Sequence, residues 1–129
     1  MSPRLPHLAL LTARLLIAAL FMAGAAQKLL APTGAMTLLA MRNLPTALIW
    51  PALAFNAIAA LLLVLGLRTR PVAVVLAGYC AVTSIFHLVP SDPWQMSIFV
   101  KNWAIAGGCL ALAVAGSGRY ALRPDRPLL

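Results

Sequence analysis

The sequence predicts an all-α membrane protein, a bundle of four transmembrane helices with a short interfacial segment between the first and second. Three observations carry that prediction. The chain is 63% hydrophobic and 9% charged over 129 residues, a balance outside the range of soluble domains. No formally charged residue lies between Arg42 and Arg68, between Arg70 and Asp92, or from Asn102 to Gly118. Each of these runs is close to the ~20 residues that a helix needs to cross ~30 Å of hydrocarbon. Helices are favoured over a barrel because each closes its own backbone hydrogen bonds in lipid. The runs also lack the polar–apolar alternation of barrel strands.

The elements follow in order. Helix 1 is expected over about residues 8–30, long enough only with Arg14 and Lys28 counted inside it, and Pro32-Thr33-Gly34 stops it. Residues 35–43 are too short to span and read as an interfacial helix or re-entrant turn, with Arg42 reaching headgroups. Pro45 suits the first turn of helix 2, placed at about 46–67, and Pro51 bends its start. Pro71 opens helix 3, at about 71–89. The Pro90-Ser91-Asp92-Pro93 turn leads to helix 4, at about 96–116. Trp50, Trp94 and Trp103 fall near the outer boundaries, where indoles sit. Gly24, Gly107 and Gly108 read as points of close helix approach. Residues 1–129 make one domain, since tight joints leave no room for a second.

The net charge of +8 does not call for nucleic acid here. Basic residues near spans are retained on the cytoplasmic side. An inside N-terminus puts Arg4, Arg68, Arg70, Arg119, Arg123 and Arg126 inside, so both termini are expected to be cytoplasmic. A competing reading takes the basic start, the apolar stretch Leu15–Met22 and Ala23-Gly24-Ala25-Ala26 as a cleaved secretory signal. The interrupting Arg14 and the later spans favour a retained helix.

Function is sought in the polar groups that enter the membrane. Arg14, Phe21 and Lys28 recur every seven residues on one face of helix 1, and Cys80, Thr83, Ser84 and His87 form a stripe on helix 3. Helix 4 offers Lys101, Asn102 and Cys109, and helix 2 offers Asn56 near its middle. The expected candidate seam is therefore Lys28, His87, Lys101, Asn102, Asn56 and Arg14. Arg14 lies ~21 Å from Lys28 along the helix. The chain has no Glu, and Asp92 and Asp125 fall in loops, leaving Asp92 as the one acid within reach of Lys101 or Lys28. A cation in low dielectric must snorkel, pair with lipid phosphate or meet an acceptor such as a quinone carbonyl, a small oxyanion or a partner carboxylate. The plainer readings are snorkelling for Lys28, Lys101 and Arg14, interfacial hydrogen bonding for His87, and a helix–helix hydrogen bond for Asn56. Cys80 and Cys109 read as small hydrophobes rather than a redox pair. No metal-ligand cluster, Cys-x-x-Cys, glycine-rich phosphate loop or Ser-His-Asp pattern is present.

Arg14-Leu15-Leu16-Ile17-Ala18-Ala19-Leu20-Phe21, then Gly24 and Gln27-Lys28-Leu29, resembles the opening of DoxX-family membrane proteins. The joint Leu65-Gly66-Leu67-Arg68-Thr69-Arg70 resembles the family too. So do Phe86-His87, Phe99-Val100-Lys101-Asn102, Ala104 to Gly108 and Gly116-Ser117-Gly118-Arg119. The resemblance implies a four-helix protein of the bacterial inner membrane linked to respiratory or sulfur redox chemistry. It also implies an accessory subunit of a quinone-linked or sulfur/thiol-redox complex rather than a self-sufficient enzyme. Its partners would be the lipid bilayer, an oxidoreductase subunit and, as a further option, a second copy of itself. The alternatives are a non-catalytic scaffold or assembly factor and, more weakly, a small transporter. Family members often carry Glu about where Asn56 stands, and Asn cannot exchange a proton there.

Overall fold

The computed structural model describes residues 4–126, and the outermost positions of the expected single domain lie outside them. Every regular element among the described residues is helical: α1 (Arg4–Leu30), α2 (Thr33–Met41), α3 (Ile49–Leu65), α4 (Thr69–Thr83) and α5 (Pro93–Ala115). Two 3-10 turns, Thr46–Leu48 and Ser84–His87, extend α3 at its start and α4 at its end. Four helical stretches are long and apolar enough to cross a membrane: Arg4–Leu30, Thr46–Leu65, Thr69–His87 and Pro93–Ala115.

The boundaries differ from the expected ones by a few residues, each for a local reason. Pro6 is accommodated in the first turn of α1, where its missing N–H has no intrahelical partner to lose. Helix α3 stops at Leu65 because Gly66 turns left-handed (φ 70°), and the Leu67 amide bonds back to Leu62 O at 2.9 Å. Helix α5 starts three residues early because Asp92 caps it: its carboxylate accepts from the amides of Trp94 (3.0 Å) and Gln95 (3.3 Å), ahead of Pro93 in the first turn. The third span ends at His87, where its last turn tightens to 3-10. Segment α2, nine residues long, covers ~14 Å and cannot span.

Sequential helices pair antiparallel, α1 along α3 and α4 along α5, and the two pairs meet through α1–α5 and α3–α4 contacts. The interior is built from small side chains (Ala18, Ala25, Ala59, Ala60, Ala73, Ala77, Ala106, Ala113) closed by Phe21, Leu63, Leu76 and Leu112. Dense contact between such residues holds helices together where lipid removes the hydrophobic drive. Gly107 and Gly108 do not serve this end: both face outward, and an added Cβ on either would meet nothing within 4 Å. Large apolar side chains such as Leu16, Val82 and Val100 point outward, as a bundle solvated by hydrocarbon allows.

Arginine closes the helix ends. The last carbonyls of any helix lack intrahelical donors, and in lipid no water replaces them. Arg14, fully buried in α1, donates through Nη1 to Leu63 O (2.7 Å) and Val64 O (3.4 Å) at the end of α3, and through Nη2 to Tyr120 O. Arg70 on α4 repeats this on α5, donating to Ala113 O (3.1 Å), Val114 O (2.9 Å) and Arg126 O. Arg42, exposed on the surface, donates to Ile85 O (2.7 Å) and Leu88 O (3.4 Å) at the end of the third span. A guanidinium opposite a helix C-terminus also gains from the macrodipole.

The two carbonyls beyond the helices, Tyr120 O and Arg126 O, belong to a C-terminal segment folded across the base, the end where α1 begins. The amides of Leu122 and Arg123 donate to Leu65 O (2.9 Å) and Gly66 O (3.3 Å), and the Arg119 amide donates to His7 Nδ1 (3.0 Å). Asp125 is tied to Ser117, accepting from its amide at 3.2 Å while Ser117 Oγ accepts from the Asp125 amide at 2.9 Å. Gly66 makes this docking sterically possible: an added Cβ would strike Ala121 Cβ and come within 2.6 Å of Arg14 Nη1. Gly66→Ala is therefore expected to cost about 1–2 kcal/mol in the left-handed backbone alone. It should also release the segment, read as faster proteolysis near residue 120 with the four spans intact.

Candidate functional site

The fold divides the six residues of the expected seam. Lys28 and Asn56 come together. Arg14 lies at the opposite end as the cap of α3. His87 pairs through Nδ1 with Gln95 Oε1 at 2.7 Å, joining the end of the third span to the first turn of α5. Lys101 is exposed, its ammonium 5.7 Å from the centroid of the Trp94 ring. Asn102, beside it, is half-buried. Cys80 and Cys109 are buried, free, and part of the common core.

The direction of Lys28 follows from helix geometry. It sits in the last turn of α1, and every Cα–Cβ bond on a helix tilts toward the N-terminus. Its side chain consequently leans back into the bundle and is half-buried. It crosses the face of Gly24, one turn earlier, where an added Cβ would sit 3.8 Å from Nζ and 3.1 Å from the Asn56 amide. Gly24 is thus part of the site as the residue whose missing side chain makes room for it. Its position four residues before Lys28 was the signal for this in the sequence.

Asn56 is 3% exposed, and its amide orientation is fixed by chemistry. An ammonium has only donors to offer, so the carboxamide oxygen must face Lys28. So oriented, Asn56 Oδ1 accepts from Lys28 Nζ at 3.0 Å, and Nδ2 donates to Tyr79 Oη at 3.2 Å and Ala52 O at 3.3 Å. Tyr79, on α4, joins the site without having been singled out in the sequence, where the neighbouring Cys80 and Thr83 drew the stripe. Its ring is held edge-on by Phe21 (centroids 6.1 Å apart) and against Phe55 (4.8 Å).

The hydrogen-bond direction around this triad is one-sided. Lys28 gives one proton to Asn56 and keeps two, and Tyr79 accepts from Asn56 and keeps its phenolic proton to donate. Neither acid of the chain is turned toward it, since Asp92 caps α5 and Asp125 binds Ser117. The result is a half-buried cationic site, rich in donors and poor in acceptors, at the end of the bundle opposite the base. Among the described residues no group of three or more His, Cys, Asp or Glu could hold a metal ion.

Fold and site together define a multi-pass helical membrane protein whose spans enclose a small cationic polar cluster. The chain belongs to the DoxX family, whose model matches residues 9–88. It is also similar to the inner membrane protein YqjF of Escherichia coli (strain K12), at 27% identity over 120 residues covering 92% of each chain. No solved structure matches it. The protein is accordingly a multi-pass inner-membrane member of the DoxX family.

Proposed function

We propose that the protein is an accessory subunit of a redox-linked inner-membrane complex, and that Lys28, Asn56 and Tyr79 receive an acceptor-bearing headgroup, a quinone by preference. The surplus of donors at the triad is the observation that carries this reading. A quinone carbonyl accepts hydrogen bonds and brings no charge into the membrane, so it suits an ammonium and a phenol that have protons to give. When bound, a quinone would supply two-electron chemistry, with electrons delivered by a partner subunit. The chain's own groups bind and orient: Lys28 supplies positive potential, Tyr79 a second donor, and Asn56 fixes both. A small sulfur oxyanion would suit the same donors. The base, with Arg68, Arg70, Arg119, Arg123 and Arg126, faces the cytoplasm in this reading, leaving the triad near the outer surface.

Photoaffinity labelling with an azidoquinone in native membranes tests the proposal. Lys28→Met and Tyr79→Phe are each expected to reduce labelling at least about tenfold, the loss of one charge-assisted or buried hydrogen bond. Lys101→Met should leave it unchanged, because Lys101 lies outside against Trp94. Equal labelling in all three would favour a scaffold. A specific observation supports that second reading: Arg14, Arg42 and Arg70 are all spent on capping helices.

A further inference from the structure

Beyond the triad, the fold leaves a second feature at the opposite end. Helices α3 and α4 diverge enough to leave a lipid-facing groove lined by Phe55, Ile58, Leu62, Val72 and Val75, with Arg68 and Pro71 at its base. Arg68 and Pro71 are shared with an adjoining polar pocket completed by Arg123, Pro124, Asp125 and Arg126. The two are therefore continuous, an apolar channel running into a cluster of three guanidiniums. Among the described residues Asp125 is the one carboxylate there, and it accepts from the Ser117 amide. Arg68, Arg123 and Arg126 are exposed. The α4 N-terminus, which has no side-chain cap, opens beside Arg68 and adds the positive end of its dipole.

We infer that this groove and pocket form a binding site for one anionic phospholipid, with an acyl chain between α3 and α4 and the phosphate among Arg68, Arg123 and Arg126. Charge and polarity are complementary to such a lipid along a single path. A ligand that fills it must be apolar over the ~10 Å of helix from Phe55 to Leu62 and anionic at the membrane–water boundary. A soluble anion leaves the groove bare, and a neutral lipid leaves three arginines sharing one carboxylate, Asp125. Basic pockets between spans at the boundary are a recognised means of holding acidic lipid headgroups. The C-terminal segment becomes part of the site, since Arg123 and Arg126 reach it only when that segment is docked on Gly66 and Arg70.

The test uses the full chain in nanodiscs of phosphatidylglycerol and phosphatidylcholine in equal amounts, followed by native mass spectrometry of the lipid retained after release. The wild type is expected to keep phosphatidylglycerol over phosphatidylcholine by at least about tenfold, from roughly 1 kcal/mol per arginine. The triple variant Arg68→Gln, Arg123→Gln, Arg126→Gln should fall to within about twofold of no preference. Val75→Trp, at a position 54% exposed and so open to a larger side chain, should plug the groove and lower the retained phosphatidylglycerol at least about twofold, by displacing several methylenes. A wild type without preference, or a triple variant that keeps it, overturns the site. Should the triple variant fail to fold, Val75→Trp decides: unchanged retention overturns the inference, and a loss supports it.

Discussion

Arg14→Met is expected to destabilise the bundle by about 3–5 kcal/mol, more than any other single substitution considered. The side chain is fully buried, and methionine keeps its apolar stem but ends short of the guanidinium carbon, so a void opens where the guanidinium sat. The donor set is lost as well. Tyr120 O and Val64 O would lose the donor Arg14 gives them, Leu63 O would keep only the Gly66 amide (3.2 Å), and a carbonyl stranded in this way costs about 1–3 kcal/mol. The charge itself is tolerated only because these carbonyls and the negative end of α3 surround it. Arg14→Lys should recover part of the loss, since one ammonium can serve Leu63 O or Tyr120 O but lacks the fork that reaches both. Unfolding of the purified protein in mild detergent measures this. Equal stability of the methionine variant and the wild type would remove Arg14 from its role as the cap of α3.

Asn56→Leu is expected to cost about 2–3 kcal/mol, the second largest effect. The substitution strips Lys28 of its one protein acceptor and Tyr79 of its donor in the same step. A hydrogen bond to a charged group contributes about 1.5–3 kcal/mol, and the loss of the Asn56–Tyr79 bond adds to it while the half-buried position of Lys28 limits the total. Asn56→Glu should behave differently. A carboxylate would meet Lys28 directly and restore an acceptor, so stability should stay within about 1 kcal/mol of the wild type. The donor surplus would shrink, however, and quinone labelling should fall along with it. A leucine variant as stable as the wild type would show that Lys28 turns outward to headgroups instead of inward to Asn56.

The spans were legible in the sequence because lipid imposes its requirement on composition directly. Uncharged runs of the right length left little freedom in helix number, and Pro32, Pro45, Pro71 and Pro93 marked the joints. The roles of the cations were less legible. Arg14, Lys28, Arg42 and Arg70 all look alike as basic residues near span ends, yet three of them cap helices and one leans inward. What separates them is the partner across the interface, and partners depend on which helices pair. The structural repeat of Arg14 on α3 and Arg70 on α5 leaves no repeat in the sequence, because its acceptors are backbone carbonyls that any residue supplies. Tyr79 carries no signal of its own in the sequence for a related reason: its relevance comes from Asn56 on another helix. Gly24 carried a local signal in its spacing from Lys28, but small residues in spans first suggest packing.

Native mass spectrometry of the protein extracted from its own membranes in mild detergent decides between a redox subunit and a scaffold. A complex that retains a quinone and an oxidoreductase subunit is expected, with the quinone lost in Lys28→Met. The bare protein, or a homo-oligomer carrying phospholipid alone, would contradict the redox reading and make the Lys28–Asn56–Tyr79 triad an internal brace of a membrane scaffold.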